Sequence, residues 1–204
     1  MAKGFLDKAY SARDADSTRK LYDDWATTYE AEVAENGYAT PGRCAKALAA
    51  HLPDIAAPVL DFGCGTGLSG LALRAVGFQV IDGVDLSIDM LKQAEGKGIY
   101  RKVSQIEAGD PLSHTPGDYA AITAIGVIGA GAAPISVLDT LIAGLVSGGR
   151  LVFSFNDHAL EDPANEARLL DHIDQGTITL LFREHGPHLP GIGLGSDVYV
   201  VART

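Results

Sequence analysis

The sequence predicts an α/β fold, a doubly wound and mostly parallel sheet. Three observations carry this. Short strand-like runs alternate with helix-length segments between residues 59 and 155. Those runs, the polar one at 100–107 apart, are mostly apolar rather than alternating, as strands covered on both faces are. The first ends in a glycine-dense turn, where such sheets receive ligands. The 204 residues fit one domain and suffice to bury a core without disulfides or metal.

The elements follow in order. Residues 14–35 read as one helix, with Leu21, Tyr22, Trp25, Tyr29 and Val33 at three- and four-residue spacings and Gly37 as the stop. Pro41 opens a second helix with Ala45, Leu48 and Leu52 on one face. Residues 59–62 form the first strand and 68–75 a helix; Gly77 resets the chain for a second strand at 79–85. Ser87 caps a helix reaching about Lys97. Strands are expected at 100–107, 119–125 and 150–155, with a helix at 134–146. A polar helix at 165–174 then precedes two strands, 177–184 and 196–202, as an antiparallel hairpin around a glycine- and proline-rich turn at 186–195.

Composition narrows the function. The formal charge of −10 repels phosphate backbones and anionic lipid, against general nucleic-acid or membrane-surface binding. Two cysteines, Cys44 and Cys64, form no framework and fit a reducing, cytoplasmic setting. No metal-ligand cluster is visible, and residues 119–149 are too interrupted for a membrane span. The N-terminus lacks the apolar core of a signal peptide.

The chemistry centres on Asp61-Phe62-Gly63-Cys64-Gly65-Thr66-Gly67. Alternating glycines reach positive φ and leave no side chain between backbone and ligand. The order G-x-G-x-G is neither the dinucleotide fingerprint nor a P-loop. Asp85, ending the second strand, can accept hydrogen bonds from both hydroxyls of a ribose.

This combination resembles the class I S-adenosylmethionine-dependent methyltransferases. Within them the chain is most similar to the methyltransferase-like family named after the Williams–Beuren syndrome region and its bacterial relatives. That likeness rests on Tyr22-Asp23-Asp24-Trp25-Ala26, Tyr29-Glu30, Gly37-Tyr38 with Pro41, Gly98-Ile99-Tyr100, Asp110-Pro111-Leu112 and Gly126-Val127. Gly148-Gly149-Arg150 belongs to the wider class. The resemblance implies a Rossmann-like seven-stranded sheet in residues 54–204 under an N-terminal helical lid, residues 1–53. It implies S-adenosylmethionine as cofactor, leaving as S-adenosylhomocysteine. Asp61, Gly63, Gly65 and Gly67 would hold its methionine and ribose part, and Asp85 the ribose hydroxyls. Leu86 would lie against adenine, with Met90 either beside it or in the core. Glu107 or Asp110 would meet the adenine amino group, the spacing to Pro111 favouring Glu107. Ile125 and Gly126 would border the methionine carboxylate.

Trp25 and Tyr29 share a helix face, Trp25 reading as core and Tyr29 as a lid residue over the sulfonium or its carboxylate. Tyr29, Tyr38 and His158 are the catalytic candidates, although His158 also reads as an exposed loop residue. His185 and His188 rank below them, and His51, His114 and His172 read as surface. Relatives often carry histidine or other polar groups in the loop after the fourth strand. Here it reads Ile128-Gly129-Ala130-Gly131-Ala132-Ala133 and offers no base. No Asn-Pro-Pro-Tyr run follows the fourth strand, so the expected acceptor is a small molecule methylated at O, N or S. Three alternatives stay open: a cofactor-binding module without turnover, a nicotinamide oxidoreductase, and a protein or nucleic-acid methyltransferase using Arg13, Arg19 and Lys20 as a basic patch. Oligomeric state is not legible.

Overall fold

A computed structural model describes residues 15–129 and 131–204. Arg13 and Ala130 therefore lie outside the described residues. Helices α1 (Ala15–Trp25), α2 (Tyr29–Glu35) and α3 (Thr40–His51) precede the alternating part. There β1 (Val59–Phe62), α4 (Leu68–Ala75), β2 (Ile81–Asp85), α5 (Ile88–Gly96), β3 (Lys102–Gln105), β4 (Ala121–Ala124), α6 (Val137–Ala143) and β5 (Arg150–Asn156) follow one another. Helices α7 (Asp157–Leu160) and α8 (Pro163–Asp174) lead to the hairpin β6 (Ile178–Leu189) and β7 (Leu194–Arg203).

The seven strands are ordered β3-β2-β1-β4-β5-β7-β6. The first five run parallel, and β7 is antiparallel to both β5 and β6. Strand order reverses between β1 and β4, which opens a crevice at their carboxyl ends.

Two-residue periodicity splits each strand between two cores. Leu60, Ile122, Leu151 and Phe153 face one side, with Leu138 and Leu141 of α6 and Leu169 of α8. Val59, Ala121 and Val152 face the other, with Leu48 of α3 and Leu73 of α4. Phe153 stacks on Tyr199 at 4.9 Å and Phe155 meets the same ring at 5.4 Å. Each such buried aromatic or aliphatic side chain contributes roughly 1.5–3 kcal/mol.

Several expectations are corrected. The helix expected at 14–35 breaks after Trp25. Thr28 N–H turns back to the Trp25 carbonyl, and Gln93 Nε2 donates to the Ala26 carbonyl at 2.6 Å, drawing it out of the helix. The wide turn expected at 186–195 is mostly strand, and only Pro190–Ile192 remain as a 3-10 turn. Pro187 is tolerated because β6 is an edge strand and its register slips there. Helix α6 starts at Val137, after a turn in which Val137 N–H meets the Pro134 carbonyl at 3.0 Å. Helix α7 was not expected; Asn156 Oδ1 caps it by accepting from Ala159 N–H at 2.9 Å. Three histidines read as surface are tied into the fold. His172 bridges Asp139 (2.7 Å) and Thr177 (2.9 Å), His114 bonds the Gly144 carbonyl, and His51 the Ala47 carbonyl. Among the described residues no helix is long and apolar enough to cross a membrane, and no cluster of His, Cys, Asp or Glu is placed to hold a metal.

Candidate functional site

A cavity of about 850 Å³ opens at the carboxyl ends of β1, β2 and β4, large enough for a nucleoside-sized ligand and more. The turn after β1 forms its floor. Gly63 (φ 69°) passes so close to Val127 that a Cβ there would stand 2.4 Å from Cγ2. Gly65 (φ 53°) differs: a Cβ would meet nothing within 4 Å, so its open face belongs to the cavity. A larger residue would fill that space and strain the backbone.

Asp85 lies on the cavity wall. Its carboxylate accepts from Gly65 N–H (Oδ2, 2.9 Å) and Ser87 N–H (Oδ1, 2.9 Å). An ionised carboxylate has about four acceptor positions, so about two remain for a ligand. Burial pushes its pKa up, while these backbone donors pull it back. Ser87 Oγ caps α5 by accepting from Met90 N–H at 3.1 Å and donates its hydroxyl to the Asp23 carboxylate of α1.

Not every residue implied by the resemblance reaches the cavity. Asp61 is fully buried behind the turn. Its carboxylate is engaged by Ser69, Tyr100 and Thr123, each at 2.6 Å, and it does not line the wall. Gly67 is likewise behind it, packed against Ile99 and Tyr100 at the start of α4. Both therefore stand behind the turn, which they brace, and not on the cavity wall. Tyr100, Ser69 and Thr123 were missed as partners because they arrive from three other elements.

Leu86, Met90, Glu107, Asp110 and Ile125 do line the cavity. Met90 is both core and wall, only 1% exposed. Glu107 and Asp110 line the cavity at its exposed rim, and Arg19 of α1 pairs with Glu107. Tyr29 lines the cavity and hydrogen-bonds Tyr38, and desolvation holds its hydroxyl protonated far above its ordinary value. Trp25 is core, 2% exposed, with Tyr29 edge-on at 4.8 Å. His158, on α7, lines the far end of the cavity. Cys64 is buried and its thiol is pushed well up, which makes it inert.

Beyond Gly126 a smaller hollow of about 70 Å³ adjoins the cavity. Tyr38, Ser154, Asn156 and His188 line it, with Tyr22 and Tyr29 shared between the two spaces.

A family model described as a methyltransferase domain matches residues 37–193. The chain belongs to the methyltransferase-domain family. Methyltransferase-like protein 27 of Homo sapiens is 35% identical over 136 residues, covering 65% of this chain and 56% of that protein. Ribosomal protein L11 methyltransferase of Vibrio vulnificus is 31% identical over 119 residues, covering 57% and 39% respectively. The chain thus spans about half or less of the length of these relatives. A TehB-like SAM-dependent methyltransferase from Corynebacterium glutamicum shares the fold, with a TM-score of 0.62, 19% identity and coverage of 90% and 98%. Membership makes this the class I Rossmann-like methyltransferase sheet and replaces the nicotinamide alternative. The methyltransferase family implies S-adenosylmethionine, and the site fits it. Asp85 keeps acceptor positions for two hydroxyls, Gly65 leaves an open backbone face, and Leu86 and Met90 offer an apolar wall.

Proposed function

We propose that this chain is an S-adenosylmethionine-dependent methyltransferase acting on a small molecule at oxygen, nitrogen or sulfur. Within the class we place it with the methyltransferase-like family of the Williams–Beuren syndrome region. The observation that carries the reading is Asp85, held by Gly65 N–H and Ser87 N–H beside the open face of Gly65.

Asp85 binds the ribose hydroxyls. Leu86 and Met90 flank adenine, and Glu107, with Asp110 beside it, takes the amino group. Gly63, Gly65 and Ile125 border the methionine end, and the Tyr29 hydroxyl serves its carboxylate. Asp61 and Gly67 act from behind by fixing the turn. When bound, the cofactor supplies a methyl group already activated on a sulfonium. The protein's work is to align the acceptor and exclude water. Residues 1–53 serve as the lid, with Trp25 and Tyr29 on its inner side. Tyr29 stays protonated and so acts as a donor, not as a base. An acceptor whose nucleophile carries no proton needs no base, and one that carries a proton would pass it to His158 at the far end of the cavity.

Calorimetric titration of S-adenosylmethionine and S-adenosylhomocysteine tests the reading on wild type and Asp85→Ala. Loss of a hydrogen-bonding carboxylate costs roughly 1.5–3 kcal/mol, so affinity should fall more than tenfold. Absence of binding to wild type rejects the reading. Methyl transfer to protein or RNA, with none to small metabolites, rejects the acceptor class. The likeness to a ribosomal-protein methyltransferase makes that comparison necessary.

A further inference from the structure

His188 ranked low in the sequence, yet it is buried, 7% exposed, at the wall of the small hollow beyond Gly126. A chain of hydrogen bonds fixes which of its nitrogens carries the proton. Arg43 Nη1 donates to Ser196 Oγ at 3.0 Å. Ser196 Oγ lies 3.0 Å from Thr40 Oγ1, and Thr40 Oγ1 lies 2.8 Å from His188 Nδ1. Ser196 and Thr40 are both fully buried. Arginine can only donate. Ser196 therefore gives its proton to Thr40, and Thr40 gives its own to His188 Nδ1. The opposite direction would strand the Ser196 proton in a dry interior, at a cost of about 1–3 kcal/mol. With Nδ1 accepting, the proton of neutral His188 sits on Nε2. Burial also keeps the ring neutral, its pKa pushed down to about 4.

Two further polar groups of the hollow, Asn156 and Ser154, also present donors. Asn156 has its Oδ1 engaged by Ala159 N–H, which leaves Nδ2 to donate. Ser154 Oγ accepts from Gly126 N–H at 3.0 Å and keeps its hydroxyl proton. Among the described residues no carboxylate lines the hollow, whereas the main cavity carries Asp85, Glu107, Asp110 and Asp162. The relay also ends on the Arg43 cation. The space is several times what one water needs.

We propose that this hollow receives a carboxylate of the methyl acceptor, bound by donors from His188 Nε2, Asn156 Nδ2 and the Ser154 hydroxyl. The proposal rests on the methyltransferase reading above. It makes the substrate a small carboxylic acid whose reacting atom lies in the main cavity. The hollow shares Tyr22, Tyr29 and Gly126 with the main cavity but neither Asp85 nor the turn glycines, and its donors His188, Asn156 and Ser154 lie outside the residues given to the cofactor, so the carboxylate is assigned to the acceptor.

The test needs no knowledge of the substrate. Trp25 is the sole tryptophan and lines the hollow, so its fluorescence reports occupancy. Wild type, free and saturated with S-adenosylhomocysteine, is titrated with acetate, acetamide and ethylamine at constant ionic strength. Acetate should give a saturable change and bind at least tenfold more tightly than ethylamine. His188→Gln and Thr40→Val should each weaken acetate at least tenfold and leave S-adenosylhomocysteine affinity within twofold. Nitrogen-15 NMR of the wild-type imidazoles should show His188 as the Nε2–H tautomer, a reading independent of whether the variants fold. An Nδ1–H tautomer, preference for ethylamine, or no acetate response overturns the proposal. So does acetate binding that S-adenosylhomocysteine abolishes, because the hollow would then hold the cofactor's own carboxylate. Failure of wild type to bind S-adenosylhomocysteine, with the acetate response intact, rejects the methyltransferase reading instead.

Discussion

Asp61 carries its carboxylate into a fully buried position, where an ionised group costs several kcal/mol unless hydrogen bonds compensate. Three hydroxyls compensate here, from Ser69, Tyr100 and Thr123, and burial still leaves its pKa raised. Tyr100 also accepts from Gly70 N–H at 3.2 Å. Its ring occupies space left by missing side chains: a Cβ on Gly70 would stand 2.4 Å from the hydroxyl, and one on Gly83 3.1 Å from the ring. Tyr100→Phe removes both hydrogen bonds without opening a large cavity. It should cost roughly 2–3 kcal/mol in urea denaturation. It should also weaken S-adenosylhomocysteine less than Asp85→Ala does, because it acts only through the turn. Both cysteines are buried with raised pKa values. A thiol reagent at pH 8 should therefore label neither until the protein unfolds. Asp61 stood out in the sequence as an acid before the glycines. Its role was not legible, because its partners lie 8, 39 and 62 residues away.

Besides the Thr40 hydroxyl, a guanidinium joins helix α3 to the hairpin. Arg43 donates to the carbonyls of Glu184 (2.8 Å), Pro187 (3.1 Å) and Ser196 (3.0 Å), besides the Ser196 hydroxyl. A lysine cannot reproduce that planar fork. Arg43→Lys should cost roughly 2–3 kcal/mol, lowering Tm by roughly 5–10 °C for a chain of this size. The strands β1, β4 and β5 were legible because burial on both faces makes them mostly apolar, with Asp61, Thr123 and Ser154 as buried exceptions. The hairpin's length was not, because Pro187 and the glycines read as turn and only the edge position excuses them. The break between α1 and α2 was also hidden, since the captor of the Ala26 carbonyl, Gln93, sits on α5.

The histidine beneath the hollow also bears on how the whole protein responds to acid. His188 has a pKa of about 4 when folded and the ordinary value of about 6.5 when unfolded. Between those values the unfolded chain binds the extra proton, so stability falls as pH drops from about 6.5 through about 4. The loss amounts to up to about 3 kcal/mol. Asp61 and Asp85, with raised values, push the opposite way as pH falls. The His188 share is therefore read as the difference between wild type and His188→Gln in urea melts at pH 7 and pH 4.5. That difference should shrink at the lower pH. An unchanged difference removes His188 from the acid response.

The position of β7 has a consequence for biosynthesis. It follows every other strand in order, yet it lies inside the sheet, between β5 and β6. A nascent chain emerges with its amino end first. Strand β5 has β4 to pair with early, but its other edge and the whole of β6 must wait for residues 194–203 to leave the ribosome. Val198, Tyr199, Val200 and Val201, all core, arrive in that last stretch. The two cores therefore close together only once residues 194–203 have emerged, and ribosome-stalled chains ending at residue 193 should remain protease-sensitive where released chains that include β7 resist.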